Sequence, residues 1–229
     1  MAETTTITRT AEKPEPIDRA RNFWDRNKKV ITGLGLGILL LGGGYLAYKN
    51  LVQGPKETKA SEAIFKAEDY YRMDSLNLAL NGDGTNPGFL KIISQYGGTK
   101  AGNLAHFYTG SIYLQMGDPA KAQKHLSEFD TDALQIQARA YKLLGDAYAE
   151  QGKNGDALSN YKKAARHFEV DETASSEYLF MAAYFADRVM KDQKEAISLF
   201  KELKEKYSKT EKGFEADKYL AQLGVLNEK

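Results

Sequence analysis

Residues 141–168 read "YKLLGDAYAEQGKNGDALSNYKKAARHF". The apolar residues of this stretch recur at the period of an α-helix on both sides of a polar turn. Gly145 is small where two antiparallel helices must approach, and Tyr161 fills the space beside it. Gly152 can end the first helix in a left-handed conformation, and Asn154 can cap the second. The stretch therefore predicts a helical hairpin.

The same pattern occurs 35 residues earlier in the chain. Gly110 takes the place of the glycine in the first helix, and Leu126 takes the place of the tyrosine in the second. The turn between them reads "GDPAKA". In this turn Asp118 is placed to cap the second helix, and Pro119 is placed to occupy its first position. The hairpin is therefore predicted to be a repeating unit.

The two stretches resemble the tetratricopeptide repeat (TPR), a helix–turn–helix unit of about 34 residues. The first helix of the later copy matches W/Y-x2-L-G-x2-Y, and its second helix matches A-x3-F-x2-A. The matching residues are Tyr141, Leu144, Gly145, Tyr148, Ala157, Tyr161 and Ala164. The resemblance implies hairpins that stack side by side, so that each buries the apolar face of its neighbour.

A third copy is visible from Tyr178, where Ala196 and Phe200 match the second helix after a turn that is one residue longer. Residues 213–224, "GFEADKYLAQLG", then predict a closing helix. Stacked repeats need such a helix because their last apolar face would otherwise stay exposed.

A divergent first helical pair is predicted upstream of these copies. Residues 59–73 are amphipathic with a helical period. In "NPGFLKIISQYGG", Asn86 is placed to cap a helix, Pro87 to occupy its first position, and Gly97 to end it. The loop between the two helices contains "NGDGTN".

Residues 30–48, "VITGLGLGILLLGGGYLAY", contain six glycines and no charge. The spacing excludes a dinucleotide fingerprint, because the last glycine of G-x-G-x-x-G falls on Ile38 or Leu40. A helix of this length extends about 28 Å, close to the ~30 Å hydrocarbon core of a bilayer. Nine of the residues are Leu, Ile or Val, which together favour insertion by about 3–5 kcal/mol. The run predicts a transmembrane helix, with a cleaved signal peptide as the alternative.

Three glycines of this span, Gly33, Gly37 and Gly44, lie on one helical face and permit the close approach of another helix. The alternative is that they merely make the span weakly hydrophobic. Six Lys or Arg residues precede the span within about twenty residues and four follow it. This bias favours a cytoplasmic N-terminus and a translocated C-terminal body.

The predicted fold class is all-α, with a single N-terminal transmembrane helix followed by an α-solenoid of TPR-like helical hairpins. Three regions are predicted. Residues 1–29 form a flexible tail and an amphipathic juxtamembrane segment, residues 30–48 the transmembrane helix, and residues 49–229 the helical repeat domain.

The sequence offers little for catalysis, and no catalytic residue, cofactor or metal is predicted. The chain has no cysteine and a net charge of +1, which excludes thiol chemistry and argues against general nucleic-acid binding. None of the three histidines belongs to an H-E-x-x-H motif. His106 is expected in the core, and His125 and His167 are expected in solvent. The loop 81–86 fails as a calcium loop, because Asn86 replaces the required glycine.

The TPR resemblance implies that partners bind the concave surface formed by the first helices of the repeats. The positions that face it are an expectation of this resemblance, and packing between repeats is the alternative for each. The candidate groove residues are Phe107, Ser111, Leu114, Arg139, Lys142, Asp146, Phe180 and Tyr184. They lack the Lys and Asn pair with which TPR co-chaperones hold a C-terminal carboxylate. An apolar or mixed groove for a peptide or helix is expected.

A basic tail, one N-terminal span and a TPR-like body together resemble the YfgM family of Gram-negative inner-membrane proteins. Those proteins carry a periplasmic TPR domain and associate with the Sec translocon and with the membrane-anchored periplasmic chaperone PpiD. Residues 86–110 also resemble the TPR proteins of Bacteroidetes-type bacteria. The resemblance implies a non-catalytic scaffold at the periplasmic exit of the translocon.

Two alternatives stay open. The same repeats would serve an envelope-assembly or cell-division coordinator with a different partner. A chain of opposite topology would be a cytosol-facing TPR receptor. In each case the expected partners are proteins, and nucleic acid is not expected.

Overall fold

The computed structural model describes residues 16–225, and every regular element in that range is a helix. The all-α class is therefore confirmed. The chain forms two compact units that divide after Pro55. The α-helices are α1 (Pro16–Tyr48), α2 (Gly54–Arg72), α3 (Leu76–Asn81), α4 (Phe89–Tyr96), α5 (Lys100–Gln115), α6 (Pro119–Glu128), α7 (Leu134–Glu150), α8 (Asn154–His167), α9 (Glu172–Phe185), α10 (Gln193–Lys206) and α11 (Glu211–Gln222). Two π-helical segments, Lys49–Gln53 and Ala186–Met190, follow α1 and α9.

Helix α1 is the one helix among residues 16–225 that is long and apolar enough to cross a membrane. It begins at Pro16, so the amphipathic segment and the predicted span 30–48 belong to the same helix. Its apolar side chains are exposed, with Leu41 at 78%. The first fifteen residues of the predicted flexible tail lie outside the described residues.

The helices after Pro55 pack chiefly against their neighbours in sequence. Helix α7 packs on α8, α5 on α6, and α9 on α10, while α6 contacts α7 and α8 contacts α9. Such contacts need no long-range pairing, because each helix buries its apolar face on the helix before or after it.

Two glycines set the closest approach within these hairpins. A Cβ atom added at Gly145 would lie 2.6 Å from the Tyr161 ring, and one added at Gly110 would lie 2.5 Å from Cγ of Leu126. Tyr161 and Leu126 are buried, at 4% and 2% exposure. The predicted role of both glycines is confirmed: each leaves the space that a side chain of the facing helix fills.

The turns after α5 and α7 are built in the same way. Gly152 has φ +71°, and the N–H of Lys153 donates to the carbonyl of Tyr148 at 2.9 Å. Gly117 has φ +73°, and the next N–H, that of Asp118, donates to the carbonyl five residues earlier at 2.8 Å. This is the Schellman motif, which satisfies carbonyls left free at a helix end.

The expected helix cap at Asn154 is wrong, whereas the expected cap at Asp118 is confirmed. The Schellman bond of Lys153 places that residue at the junction, and its carbonyl already accepts from the N–H of Ala157 at 3.0 Å. Asn154 is therefore the first helical residue of α8. In the preceding hairpin the carboxylate of Asp118 accepts from the N–H of Lys121 at 3.1 Å, with proline in the first turn.

The expected start of a helix at Asn86 and Pro87 is also wrong, because α4 begins at Phe89. The carboxylate of Asp83 accepts from the backbone N–H groups of Thr85 and Asn86, at 2.8 and 2.6 Å. Those bonds fold the segment into a turn before the helix can begin. The predicted end of α4 at Gly97 is confirmed.

The third pair differs from the other two at its turn. Helix α9 continues into the π-helical segment, Lys191 adopts a left-handed φ of +58°, and Asp192 caps α10 through the N–H of Glu195 at 3.0 Å. Ala196 and Phe200 are both fully buried, as the repeat alignment predicts. The longer connection thus leaves the packing of the second helix unchanged.

Helices also close both ends of this unit. At its beginning, Ile64 of α2 packs in one cluster with Phe89 and Ile92 of α4. At its end, α11 lies against α9 and α10, and its Leu220 is 3% exposed. The predicted closing helix is confirmed.

Candidate functional site

Helix α5 supplies three of the candidate groove residues, and two of them are used in packing. Phe107 is 7% exposed and Ser111 is 5% exposed. The hydroxyl oxygens of Ser111 and Tyr71 are 2.9 Å apart, which ties α5 to α2. Leu114 is partly buried against a small core cluster. Of the three, Leu114 keeps the most surface for a partner.

Helix α7 presents a cation and an ion pair. Arg139 is exposed, and its guanidinium carbon lies 5.9 Å from the centroid of the Phe107 ring. Lys142 pairs with Asp146 at 2.7 Å, and Asp146 also accepts from the Tyr161 hydroxyl at 3.0 Å. Burial, and then the charge of Asp146, raise the pKa of Tyr161, so its hydroxyl stays a donor. The Lys142 and Asp146 side chains are thereby held by the hairpin itself.

Helix α9 contributes an aromatic cluster with the closing helix. The Phe180 ring lies 5.1 Å from the Tyr219 ring and 6.1 Å from the Tyr184 ring. Tyr184 is 43% exposed. Such edge-to-face and offset pairs hold aromatic side chains in defined positions, so Tyr184 presents a fixed phenol at the surface.

The eight candidates therefore do not form one continuous patch of free side chains. Phe107 and Arg139 meet across α5 and α7, while Phe180 and Tyr184 both lie on α9 and pack against Tyr219 of α11. A cavity of about 310 Å³ is lined by residues of α7, α8, α9 and the connection between α8 and α9. Of the eight candidates, Arg139 lines it.

The glycine face of α1 presents open space. A Cβ atom added at Gly33, Gly37 or Gly44 would meet no atom within 4 Å. Close packing of a second helix against this face is therefore sterically possible.

The structure corrects the expectation for two histidines. Nδ1 of His125 lies 3.2 Å from Nδ1 of His106, which in turn lies 3.3 Å from a carboxylate oxygen of Glu128. His167 is also partly buried, with its ring 5.3 Å from that of Tyr141. The expectation that His125 and His167 are solvated is wrong, whereas buried His106 is confirmed.

The histidine pair was missed because His106 and His125 belong to different helices of the α5–α6 hairpin. Burial lowers the pKa of both, and the neighbouring imidazole lowers that of His125 further. An antiparallel register drawn about the turn would have placed His106 opposite the second half of α6, where His125 lies. Within residues 16–225, no group of three or more His, Cys, Asp or Glu side chains could hold a metal ion.

The loop tested for calcium is a polar turn. Asp83 accepts from two backbone N–H groups through one oxygen, and from the Tyr70 hydroxyl at 2.7 Å and the Asn86 amide at 2.8 Å through the other. These bonds, with the backbone bond from Asn86 the largest contribution, lower the pKa of Asp83. Its oxygens thus stabilise the loop itself.

Comparisons with models of known protein families, with curated proteins and with solved structures find no match.

Proposed function

We propose that this chain is a non-catalytic, membrane-anchored scaffold of the TPR type. In this proposal α1 spans the bacterial inner membrane with a cytoplasmic N-terminus, and the helices after Pro55 lie in the periplasm. The scaffold works beside the Sec translocon with a PpiD-like chaperone in handling secreted proteins. This is the function that the resemblance to the YfgM family implies.

The observation that carries the proposal is the equivalence of two hairpins. Gly110 faces Leu126 as Gly145 faces Tyr161, at 2.5 and 2.6 Å for an added Cβ atom. Both first helices end in the same Schellman turn. Equivalent contacts at equivalent positions support a repeat architecture, and repeat architectures serve mainly as extended binding surfaces.

Topology is the first test. The chain has no cysteine, so an introduced cysteine is the one thiol that a maleimide can label. Single cysteines are introduced as Thr5→Cys and as Lys209→Cys, the latter at an exposed position before α11. In intact spheroplasts a membrane-impermeant maleimide is expected to label Lys209→Cys at once, and Thr5→Cys only after permeabilisation. The opposite pattern would identify a cytosol-facing receptor.

Partner contact is the second test. A photo-crosslinking amino acid replaces Tyr184, an exposed residue of α9, or Glu205, an exposed residue of α10 used as a control. Immunoblots are expected to detect translocon or chaperone subunits crosslinked from position 184 and not from position 205. Crosslinks to division or envelope-assembly proteins would favour the alternative scaffold, and no crosslink at all would reject both.

A further inference from the structure

The cavity between α7, α8 and α9 has the size of a small ligand site. Its volume of about 310 Å³ lies at the lower end of the usual range, roughly 300–1,000 Å³. The walls are largely apolar, with Ala138, Ala164, Phe168 and the Tyr178 ring among the lining residues. One full positive charge, that of Arg139, also lines it.

Arg139 differs from the other arginines of the helical body. Three of the four arginines between residues 56 and 225 make ion pairs, which are Arg72 with Asp69, Arg166 with Glu202, and Arg188 with Asp187. Arg139 makes no ion pair with a carboxylate of the described residues. Among the described residues of this unit, Arg139 is therefore the arginine whose guanidinium can pair with an external anion.

The neighbours of Arg139 restrict where its guanidinium can lie. The ring of Phe107 is 5.9 Å from the guanidinium carbon on the α5 side, within the distance of a cation–π contact. Tyr178 shares the cavity on the α9 side, close enough that the charge of Arg139 opposes the upward shift that burial gives the pKa of Tyr178. A planar guanidinium held beside an aromatic ring keeps its donors available for a carboxylate.

The carboxylate that already lines the cavity has another role. Asp171 caps α9, because its side chain accepts from the N–H of Ala174 at 3.1 Å. Glu177 also lies near Tyr178 and raises its pKa. Neither of them forms an ion pair with Arg139. Both therefore leave the guanidinium of Arg139 unpaired and contribute only a negative charge near the cavity.

We propose that this cavity receives an acidic side chain of the protein partner, with the carboxylate paired to Arg139. The methylene groups of that side chain pack against Ala138, Ala164 and Phe168. A bidentate guanidinium–carboxylate pair supplies both affinity and orientation. The inference rests on the proposed scaffold function and names the chemistry by which the partner is recognised. It is a different site from the Lys and Asn pair of TPR co-chaperones, which this chain lacks.

The test uses the full-length chain in detergent micelles with 15N-labelled arginine. Two matched probes, acetyl-Leu-Glu-Leu-amide and acetyl-Leu-Gln-Leu-amide, are titrated while the Nε–H signals are followed by NMR. The Arg139 signal is expected to shift with the glutamate peptide, which binds at least about 10-fold more tightly than the glutamine peptide. The signal of Arg166 serves as an internal control, because that arginine is already paired.

Two variants make the test specific. Arg139→Gln is expected to abolish the preference for the glutamate peptide, whereas Arg166→Gln is expected to retain it. Thermal unfolding checks that each variant stays folded, which exposure of Arg139 favours. The inference is overturned if Arg139 does not respond to the glutamate peptide, if both peptides shift it equally, or if the preference survives Arg139→Gln.

Failure of the inference is distinguishable from failure of the scaffold. Crosslinking from position 184 reports partner contact whether or not the cavity binds a carboxylate. A lost probe preference with crosslinks retained rejects the acidic-side-chain cavity and keeps the scaffold. A retained probe preference without crosslinks keeps the carboxylate site and rejects the proposed partners.

Discussion

The glycines of α1 and the two glycines at the hairpin contacts of the helical body have opposite surroundings. In α1, a Cβ atom added at Gly33, Gly37 or Gly44 would meet nothing within 4 Å. In the helical body, the same atom at Gly110 or Gly145 would lie within 2.6 Å of a buried side chain. At these two positions of the body, a side chain of the facing helix fills the volume that the glycine leaves. In α1 glycine leaves open space against which a second helix can pack.

A glycine count alone does not indicate a helix interface. What matters is whether a side chain of the facing helix occupies the missing volume, as Tyr161 does beside Gly145.

The largest effect is expected from Gly145→Val. The Tyr161 ring cannot withdraw, because it is buried and its hydroxyl is bonded to Asp146. Overpacking should therefore lower the free energy of unfolding by about 2–3 kcal/mol, measured by urea denaturation followed by circular dichroism. Gly155→Val is the matched control, because Gly155 of α8 has open space around it and should change the stability by less than about 0.5 kcal/mol. Equal losses at the two positions would contradict the packing argument.

Histidine protonation should affect the stability of the helical body and not that of α1. The three histidines lie in the body and none in α1. Burial lowers the folded-state pKa of His106 and His125, so the unfolded chain binds more protons below about pH 6.5. The free energy of unfolding should fall as pH falls through that value. The slope has an upper limit of about 1.4 kcal/mol per pH unit for each histidine.

Substitutions at and beside the histidine pair test which groups set the pH dependence. His125→Phe removes one titrating group while keeping a ring against Tyr113, so the slope should become shallower. Glu128→Gln removes the charge that favours protonation of both histidines, whereas the nearby Lys124 disfavours it. Its slope should therefore be steeper than that of the wild type. A pH-independent stability between pH 7.5 and 5.5 would show that the pair does not titrate as described.

A smaller loss is expected from Tyr161→Phe. The ring remains against Gly145, but the hydrogen bond to Asp146 is lost, at a cost of about 1 kcal/mol. Asp146 keeps its ion pair with Lys142. In a double-mutant cycle with Gly145→Val the two losses should be non-additive, because the residues are in contact. Simple additivity would mean that the hydroxyl does not hold the ring in place.

The smallest effect on stability is expected from Gly37→Leu. Leucine favours insertion by up to about 0.6 kcal/mol, so alkaline extraction should show the span intact or better inserted. The unfolding of the body should not change. Association with a membrane partner, measured by crosslinking, should weaken because the side chain fills the open face. Leu41→Ala is a control for hydrophobicity alone. If association survives Gly37→Leu, the glycines of α1 do not form an interface with a membrane partner.

Features that depend on residues close in sequence could be predicted. The Gly145–Tyr161 contact, the left-handed Gly152 and the Asp118 cap each follow from spacing within one hairpin. The start of α4 could not, because the side chain of Asp83 accepts from the N–H groups of Thr85 and Asn86 and folds this segment into a turn. Local propensity cannot rank two such alternatives without the geometry of the loop.

The candidate site was predictable only in part. A repeat alignment assigns Arg139 to the groove, but it cannot reveal that the other three body arginines pair with carboxylates, whereas Arg139 pairs with none among the described residues. It also assigns Ser111 to the groove, where Tyr71 of α2 covers it. That contact comes from the divergent first pair, which no repeat pattern describes.

The nearest-neighbour packing of the helices has a consequence for folding during synthesis of the chain. A helix that depends mainly on the helix before it can become stable soon after it emerges, without waiting for distant residues. Mostly local contacts also favour fast folding. The hairpins can therefore form one after another in order of synthesis, while the C-terminal residues are still being added.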